Sequence, residues 1–362
     1  MRIGILGAGQ LGRMLALAGI PLDIQFRFFD PAPDGPASQI ADQIVAPYDD
    51  QLALARFAEN CDAITYEFEN VPTETAEFLA KFAPVFPPPN ALRAAQDRLT
   101  EKRVLLGLGI PTPLFDAVDS LVELRDTVER FGLPAVLKTR RFGYDGKGQM
   151  VLRQASDIAL AWNELQGHPL ILESFVPFER ELSLIGVRGR EGETAFYPLL
   201  ENHHEDGILR QTIAPAPDIA PELQAEAEDH VTRLMEVLNY VGVLTVEFFQ
   251  QNGRLIANEM APRVHNSGHC TIEGAETSQF ENHIRAVAGL PLGSTALRGF
   301  SAMLNIIGDL QDTTELLKLS GLHLHLYGKT PRPGRKLGHV TIRHDDEADR
   351  NSQLAGTQTL IG

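Results

Sequence analysis

The apolar residues near the start of the chain come in short blocks whose period alternates. "MRIGIL" is a brief apolar run of the kind that forms a buried strand, and "QLGRMLALAG" behind it spaces Leu11, Met14, Leu15 and Ala18 as on one helix face. "IQFRFF" and "DAITYEF" repeat the strand signal, so the first hundred residues predict a parallel sheet flanked by helices. The proline-rich "APVFPPPN" breaks this pattern and precedes a helix predicted over "ALRAAQDRLTEKRVLLGLG". Between about residues 110 and 180, "PAVLKT" and "GQMVLRQ" read as two strands joined by a glycine-rich loop with no helix after it, and "PLILES" as a third. That set predicts a small α+β module carrying a mobile lid. From residue 180 the pattern becomes antiparallel: strands "RELSLIGVRG", "ETAFYPLL" and "ILRQTIA", a helix "PELQAEAEDHVTRLMEVLNYV", and a hairpin "LTVEFFQQNGRLIANEM" with Asn252-Gly253 at its tip.

Length and composition narrow the classes. A chain of 362 residues exceeds one ordinary core, so two or three domains are expected. The apolar runs fall short of a membrane span, and residues 1 to 6 already read as strand, so neither a membrane segment nor a secretory leader is expected. Cys61 and Cys270 form neither a disulfide framework nor a zinc site by spacing, which points to a reducing cytoplasm. A formal charge of −16 argues against nucleic acid as a partner. Phosphate ligands would then need locally concentrated positive charge. Two stretches supply it: "LKTRRFGYDGKG", with Lys138, Arg140, Arg141 and Lys147, and "PRPGRKLGHVTIRH", with Arg332, Arg335, Lys336 and Arg343.

Three features carry candidate chemistry. Gly7, Gly9 and Gly12 form G-x-G-x-x-G between a strand and a helix, and Asp30 follows 18 residues after Gly12. That geometry suits a dinucleotide, any other phosphate at a helix N-terminus, or simply a tight strand-to-helix turn. The hairpin is sharper. A two-residue turn pairs Glu247 with Asn258 and turns Glu259 away; a three-residue loop, Gln251 to Gly253, puts Glu259 beside Glu247 on one face. The three-residue loop is the expectation adopted, because two carboxylates facing each other would bind Mg²⁺, which favours one or two carboxylates, water and nucleotide phosphates. Finally, Lys138 ends a strand beneath the Gly143 to Gly148 loop, whose N–H groups and Lys147 would cover a triphosphate. The strand ending in Glu173, the backbone after it and Glu181 would take the nucleoside.

The order of these motifs resembles the ATP-grasp superfamily, and within it the 5-(carboxyamino)imidazole ribonucleotide synthase family of bacterial and fungal purine synthesis. The likeness rests on "GAGQLGRML", "YEFENVP", "QDRLTEK", "GIPTP", "RRFGYDGKGQ", "ESFVPFERELS", "NHHEDGIL", "TVEFF", "NEMAPRVHNSGH", "TSQFENHIRA" and "YGKTPRPGRKLGHVT", in that order. It implies an ATP-grasp fold of α/β and α+β type: an N-terminal Rossmann-like domain (1–100), a lid domain (101–178) and an antiparallel catalytic domain (179–362). Its implied reaction is ATP-dependent carboxylation of 5-aminoimidazole ribonucleotide by bicarbonate, through carboxyphosphate, in a cytoplasmic homodimer.

Carried over by residue, the resemblance implies ATP contacts at Arg98 and Lys138, along the loop through Gly143, Tyr144, Asp145, Gly146, Lys147, Gly148 and Gln149, and at Glu173, Ser174, Phe175 and Val176. Glu181, His204 and Asn258 complete that set. Magnesium falls on Glu247 and Glu259. Tyr144, Asp145, Arg263, His265, Arg335 and Lys336 would hold the ribonucleotide, with Gly9, Gln10, Leu11 and Gly12 expected at its 5′-phosphate. Lys138, Lys147 and Arg263 would act on the transferring groups, with Asp145 or His265 steering the amine proton. Cys270 stands where the family usually carries an aromatic residue. A formate-dependent glycinamide ribonucleotide transformylase would share the ATP half, but "YEFENVP" and "GRKLGH" weigh against it. A dehydrogenase would leave the carboxylate pair without a purpose, and a nucleotide sensor would not need both lysines.

Overall fold

The computed structural model describes every residue except Tyr144, Asp145, Gln311 and Gly362. Its first sheet has four parallel strands in the order Gln43–Ile44, Gln25–Phe29, Arg2–Leu6, Ala63–Tyr66. Ile3, Ile5, Phe28 and Ile64 are fully buried in it, which is why these strands read as continuous apolar runs. Helix Gln10–Gly19 leaves the first strand with the expected Met14 and Leu15 buried, joined by Ala16, while Leu11 and Ala18 of the expected face are half-buried.

The helix expected over residues 91 to 109 is two helices, Pro89–Ala95 and Arg98–Gly107. Asp97 separates them: its carboxylate accepts the N–H groups of Leu99 and Thr100 and so starts the second helix as an N-cap. Arg140 holds that carboxylate from the other side.

A second, antiparallel sheet has the order Phe115–Val118, Leu170–Ser174, Ala135–Thr139, Gln149–Leu152. The remainder builds a nine-stranded antiparallel sheet in the order Arg254–Ala261, Gly242–Gln251, Arg180–Arg188, Leu200–Glu205, Ile208–Ala214, Phe300–Ile307, Lys336–His344, Leu322–Leu326, with Thr194–Phe196 added to Arg180–Arg188. The single strand expected over "ETAFYPLL" is therefore two short strands, broken at Pro198, which has no N–H to give a ladder. Helix Pro221–Val237 buries Leu223, Ala227, Val231, Leu234 and Met235, as expected. No helix among the described residues is long and apolar enough to cross a membrane.

Helix Gln279–Ala288 joins the parallel sheet to the large one. Its fully buried His283 meets the Thr65 hydroxyl through Nε2 at 2.8 Å and accepts the Val243 N–H at Nδ1. This holds the carboxyl ends of the parallel strands against the large sheet, and a cavity lies in that crevice.

Candidate active site

The cavity is built on the hairpin Gly242–Gln251 and Arg254–Ala261. Its turn has two residues, Asn252 and Gly253, both at positive φ, with Gln251 opposite Arg254. The three-residue loop is thus corrected: Asn-Gly adopts the primed turn it favours. Regular pairing from that turn would set Asn258 across from Glu247. Instead the register slips between Phe248 and Glu247, Asn258 becomes the extra residue of a β-bulge, and Glu259 stands directly opposite Glu247. The two carboxylates share a face, by a route different from the one expected.

Arg98 Nη1 lies 2.8 Å from Glu259 Oε2. Burial opposes ionisation of Glu259, but Arg98, with Lys138 and Lys102 beyond it, holds that carboxyl below its ordinary value. Burial, and then the charge of Glu259, pushes Glu247 up to about 7. One guanidinium therefore balances one of two facing acids, and a cation between them would balance both. Behind the pair, Lys138 and Lys102 approach Glu173 Oε2 at 2.9 and 3.4 Å. Although burial works against its charge, these lysines hold Glu173 down at about 2. Its carboxylate is buried in this cluster, with the backbone of Ser174, Phe175 and Val176 following it along the chain.

The cavity, of about 370 Å³, brings Arg98, His204, Glu247, Glu259, Arg263, His265 and Lys336 to one wall system. Glu181 reaches it through His204, whose Nδ1 sits 2.7 Å from Glu181 Oε2. Arg263 forms a two-pronged ion pair with Glu69, and this fixes its guanidinium toward the cavity. Glu69 lies in "YEFENVP", three residues beyond the end of strand Ala63–Tyr66. His265 approaches Glu247 at 3.3 Å and Ser267 Oγ at 2.8 Å. Burial and the neighbouring Arg263 and Lys336 keep it well below the usual histidine range, so it is neutral and a weak proton acceptor. Gly143 lines the cavity, and a side chain at Gly146, at φ +73°, would lie 2.6 Å from the Asp206 carbonyl; the loop reaches across to the large sheet. The expected contacts at Tyr144 and Asp145 lie outside the described residues.

The first glycine turn requires the plainest correction. Its Gly9 and Gly12 N–H groups already donate to the carboxylate of Glu67, and Ala8 N–H to Asp30. Gly7, at φ +97°, is held so close that a side chain there would collide with Glu67. An internal carboxylate takes the anion position expected for a phosphate, leaving Gln10 and Leu11 as the residues of this turn that line the cavity. Arg335 does not line it, since its guanidinium bonds the Thr330 carbonyl. Lys329, missed from the basic stretch although "YGKTPRPGRK" contains it, reaches Gln10 Oε1 at 2.5 Å.

The chain is similar to known proteins along its length. Residues 1–96 match the model of the ribonucleotide synthetase preATP-grasp domain, 103–280 that of the ATP-grasp domain, and 301–353 that of the phosphoribosylaminoimidazole carboxylase C-terminal domain. The N5-carboxyaminoimidazole ribonucleotide synthase of Pseudomonas aeruginosa is 54% identical over 100% of this chain and 99% of its own. The crystal structure of N5-carboxyaminoimidazole ribonucleotide synthetase from Thermus thermophilus superposes with a TM-score of 0.96 at 56% identity, covering 99% of this chain and 98% of that one. The Aspergillus clavatus N5-carboxyaminoimidazole synthase, in complex with ADP and 5-aminoimidazole ribonucleotide, gives 0.93 at 31% identity over 99% and 98% of the two chains. The chain belongs to the N5-carboxyaminoimidazole ribonucleotide synthases, a family of ATP-grasp ligases.

Proposed function

We propose that this site couples ATP cleavage to carboxylation of 5-aminoimidazole ribonucleotide by bicarbonate, giving N5-carboxyaminoimidazole ribonucleotide, ADP and phosphate. One observation carries the reading: a single cavity joins a facing carboxylate pair to an arginine braced for an anion and to a basic edge. Among the described residues no group of three or more histidine, cysteine or acidic side chains is arranged to hold a metal. Two carboxylates do fit Mg²⁺, which takes its other ligands from phosphate and water. Bound there, Mg²⁺ would neutralise charge on the nucleotide phosphates.

In this reading Arg98, Lys138, Lys147 and the Gly143 to Gln149 loop surround the triphosphate, while Ser174 to Val176, Glu181, His204 and Asn258 hold the rest of the nucleotide. Arg263 orients bicarbonate. Lys336 and Lys329, with Gln10 and Leu11, take the ribonucleotide. A bicarbonate oxygen attacks the γ-phosphorus, the bond to the β-phosphate oxygen breaks, and ADP departs. The exocyclic amine then attacks the carboxyl carbon of carboxyphosphate, or the carbon dioxide it releases; phosphate leaves and the amine loses a proton. Closure of the glycine loop keeps water from the labile intermediate. The family reading carries a cytoplasmic homodimer with it; sedimentation of the purified chain would check the dimer.

The test is phosphate release from Mg-ATP with each of 5-aminoimidazole ribonucleotide and bicarbonate omitted in turn. Release should require the ribonucleotide and yield an acid-labile carbamate when bicarbonate is present. Glu259→Gln should lower turnover about 10³-fold, the scale of several kcal/mol of charge stabilisation. Turnover with glycinamide ribonucleotide and formate instead would overturn the substrate half of the reading.

A further inference from the structure

The bulge at Asn258 decides which side chain enters the cavity, yet the hairpin's own turn does not call for it. Regular pairing runs from Gln251 opposite Arg254 to Phe248 opposite Ala257; one more regular pair would present Asn258 and turn Glu259 to the opposite face. A bulge also leaves backbone groups without ladder partners. Arg254–Ala261 is also the edge strand of its sheet, and its outward backbone groups, with those the bulge frees, find partners on helix Arg98–Gly107 and the segment after it. Lys102 Nζ donates to the Asn258 carbonyl at 2.7 Å, and the Met260 N–H donates to Glu101 Oε1. Arg98 pairs with the Glu259 carboxylate, and Ala257 N–H donates to the Pro111 carbonyl at 2.7 Å. Arg98, Glu101 and Lys102 stand at i, i+3 and i+4 on one helix face. That face therefore grips residues 258, 259 and 260 in succession. Lys102 is 0% exposed and Glu101 2%, a costly setting for ionisable groups unless their partners are in place.

We propose that Glu101 and Lys102 are positioning residues that hold the bulge at Asn258 and thereby the register that turns Glu259 toward Glu247. The inference rests on reading Glu247 and Glu259 as the metal's carboxylates. Arg98 belongs to the nucleotide site already described; Glu101 and Lys102 act on the reaction through the strand.

The experiment measures Mn²⁺ binding to the full-length enzyme–ADP complex by electron paramagnetic resonance, and ADP binding without metal by calorimetry. Lys102→Met and Glu101→Leu should weaken Mn²⁺ binding by about tenfold or more, the range seen when groups supporting a metal ligand are lost. Metal-free ADP affinity should stay within about threefold in Glu101→Leu, so the loss there is specific to the carboxylate register; Lys102 also pairs with Glu173 beside Lys138, so its variant is read on metal binding alone. Glu101→Gln keeps an oxygen for the Met260 N–H and should restore Mn²⁺ affinity. Unchanged Mn²⁺ binding in both disruptive variants would overturn the proposal, as would Glu101→Gln behaving like Glu101→Leu. Thermal unfolding identifies a variant that does not fold; if Lys102→Met is one, the Glu101 pair decides. Wild-type Mn²⁺ binding that Glu259→Gln leaves intact would instead overturn the metal reading, and this inference with it.

Discussion

The turn at Gly7 to Gly12 and the turn at Gly143 to Gly148 each carry three glycines, and each contributes to the same cavity. The first has the spacing of a dinucleotide fingerprint and opens a helix, so its N–H groups converge on an anion. That anion is the chain's own Glu67. The second matches no phosphate-binding pattern and leads into strand Gln149–Leu152, but it carries Lys147 and follows directly on the strand that ends with Lys138 and Thr139. Backbone spacing thus records that N–H groups converge; what they converge on is set by the side chain that another strand delivers to the same point. Glu67 comes from the end of a strand paired to the first one, 55 residues beyond Gly12.

If the contrast holds, disabling the second turn should have the largest effect on turnover and little on stability. Lys147→Met should lower turnover about 10² to 10³-fold, as for loss of one donor aimed at developing charge. Its melting temperature should stay near that of the wild type. Glu67→Gln should do the reverse. An amide in place of the carboxylate weakens two charge-assisted bonds in a buried site, a loss of about 2 to 3 kcal/mol. Calorimetry should show that as a fall of about 5 °C or more. Turnover of the remaining folded enzyme should drop less than about tenfold. A Glu67→Gln enzyme of unchanged stability and no turnover would make the first turn part of the reacting site and dissolve the contrast.

Local signals carried far in this chain where the deciding contacts are local too. The parallel sheet was legible because its strands are short apolar runs with a helical period between them, and the Asn252-Gly253 tip because two positive φ angles demand such residues. The bulge was not legible, since one extra residue leaves no mark on composition or period and its partners lie 156 and 159 positions earlier in the chain. The facing carboxylates were therefore anticipated through the wrong turn. Asp97 shows a different failure: an N-cap acid was present to be read, but strong helix formers on both sides hid the break. Strand Phe115–Val118 escaped because its sequence, FDAV, has no clear alternation.

The smallest expected effect concerns what the first turn retains. With Gly9 and Gly12 bonded to Glu67, attraction for a ribonucleotide phosphate at this edge falls to neighbouring cations, and Lys329 is the one that reaches Gln10. Burial, and then the charge of Arg335, bring Lys329 down to about 8 from its ordinary 10.5. The sign follows directly. At pH 7 the ammonium is charged and attracts a phosphate that is dianionic above its second pKa of about 6. As pH rises through 8 the free enzyme loses that charge, whereas a bound phosphate favours keeping it, so affinity must fall. Between pH 7 and 9 the dissociation constant of 5-aminoimidazole ribonucleotide should rise about tenfold, the worth of one charge-assisted bond, while that of ADP changes less than twofold or so. Lys329→Met should bind weakly at pH 7 and lose the slope. A slope that survives the substitution would mean that another group titrates at this edge, and that the cation beside the first turn does not replace what its amides have given to Glu67.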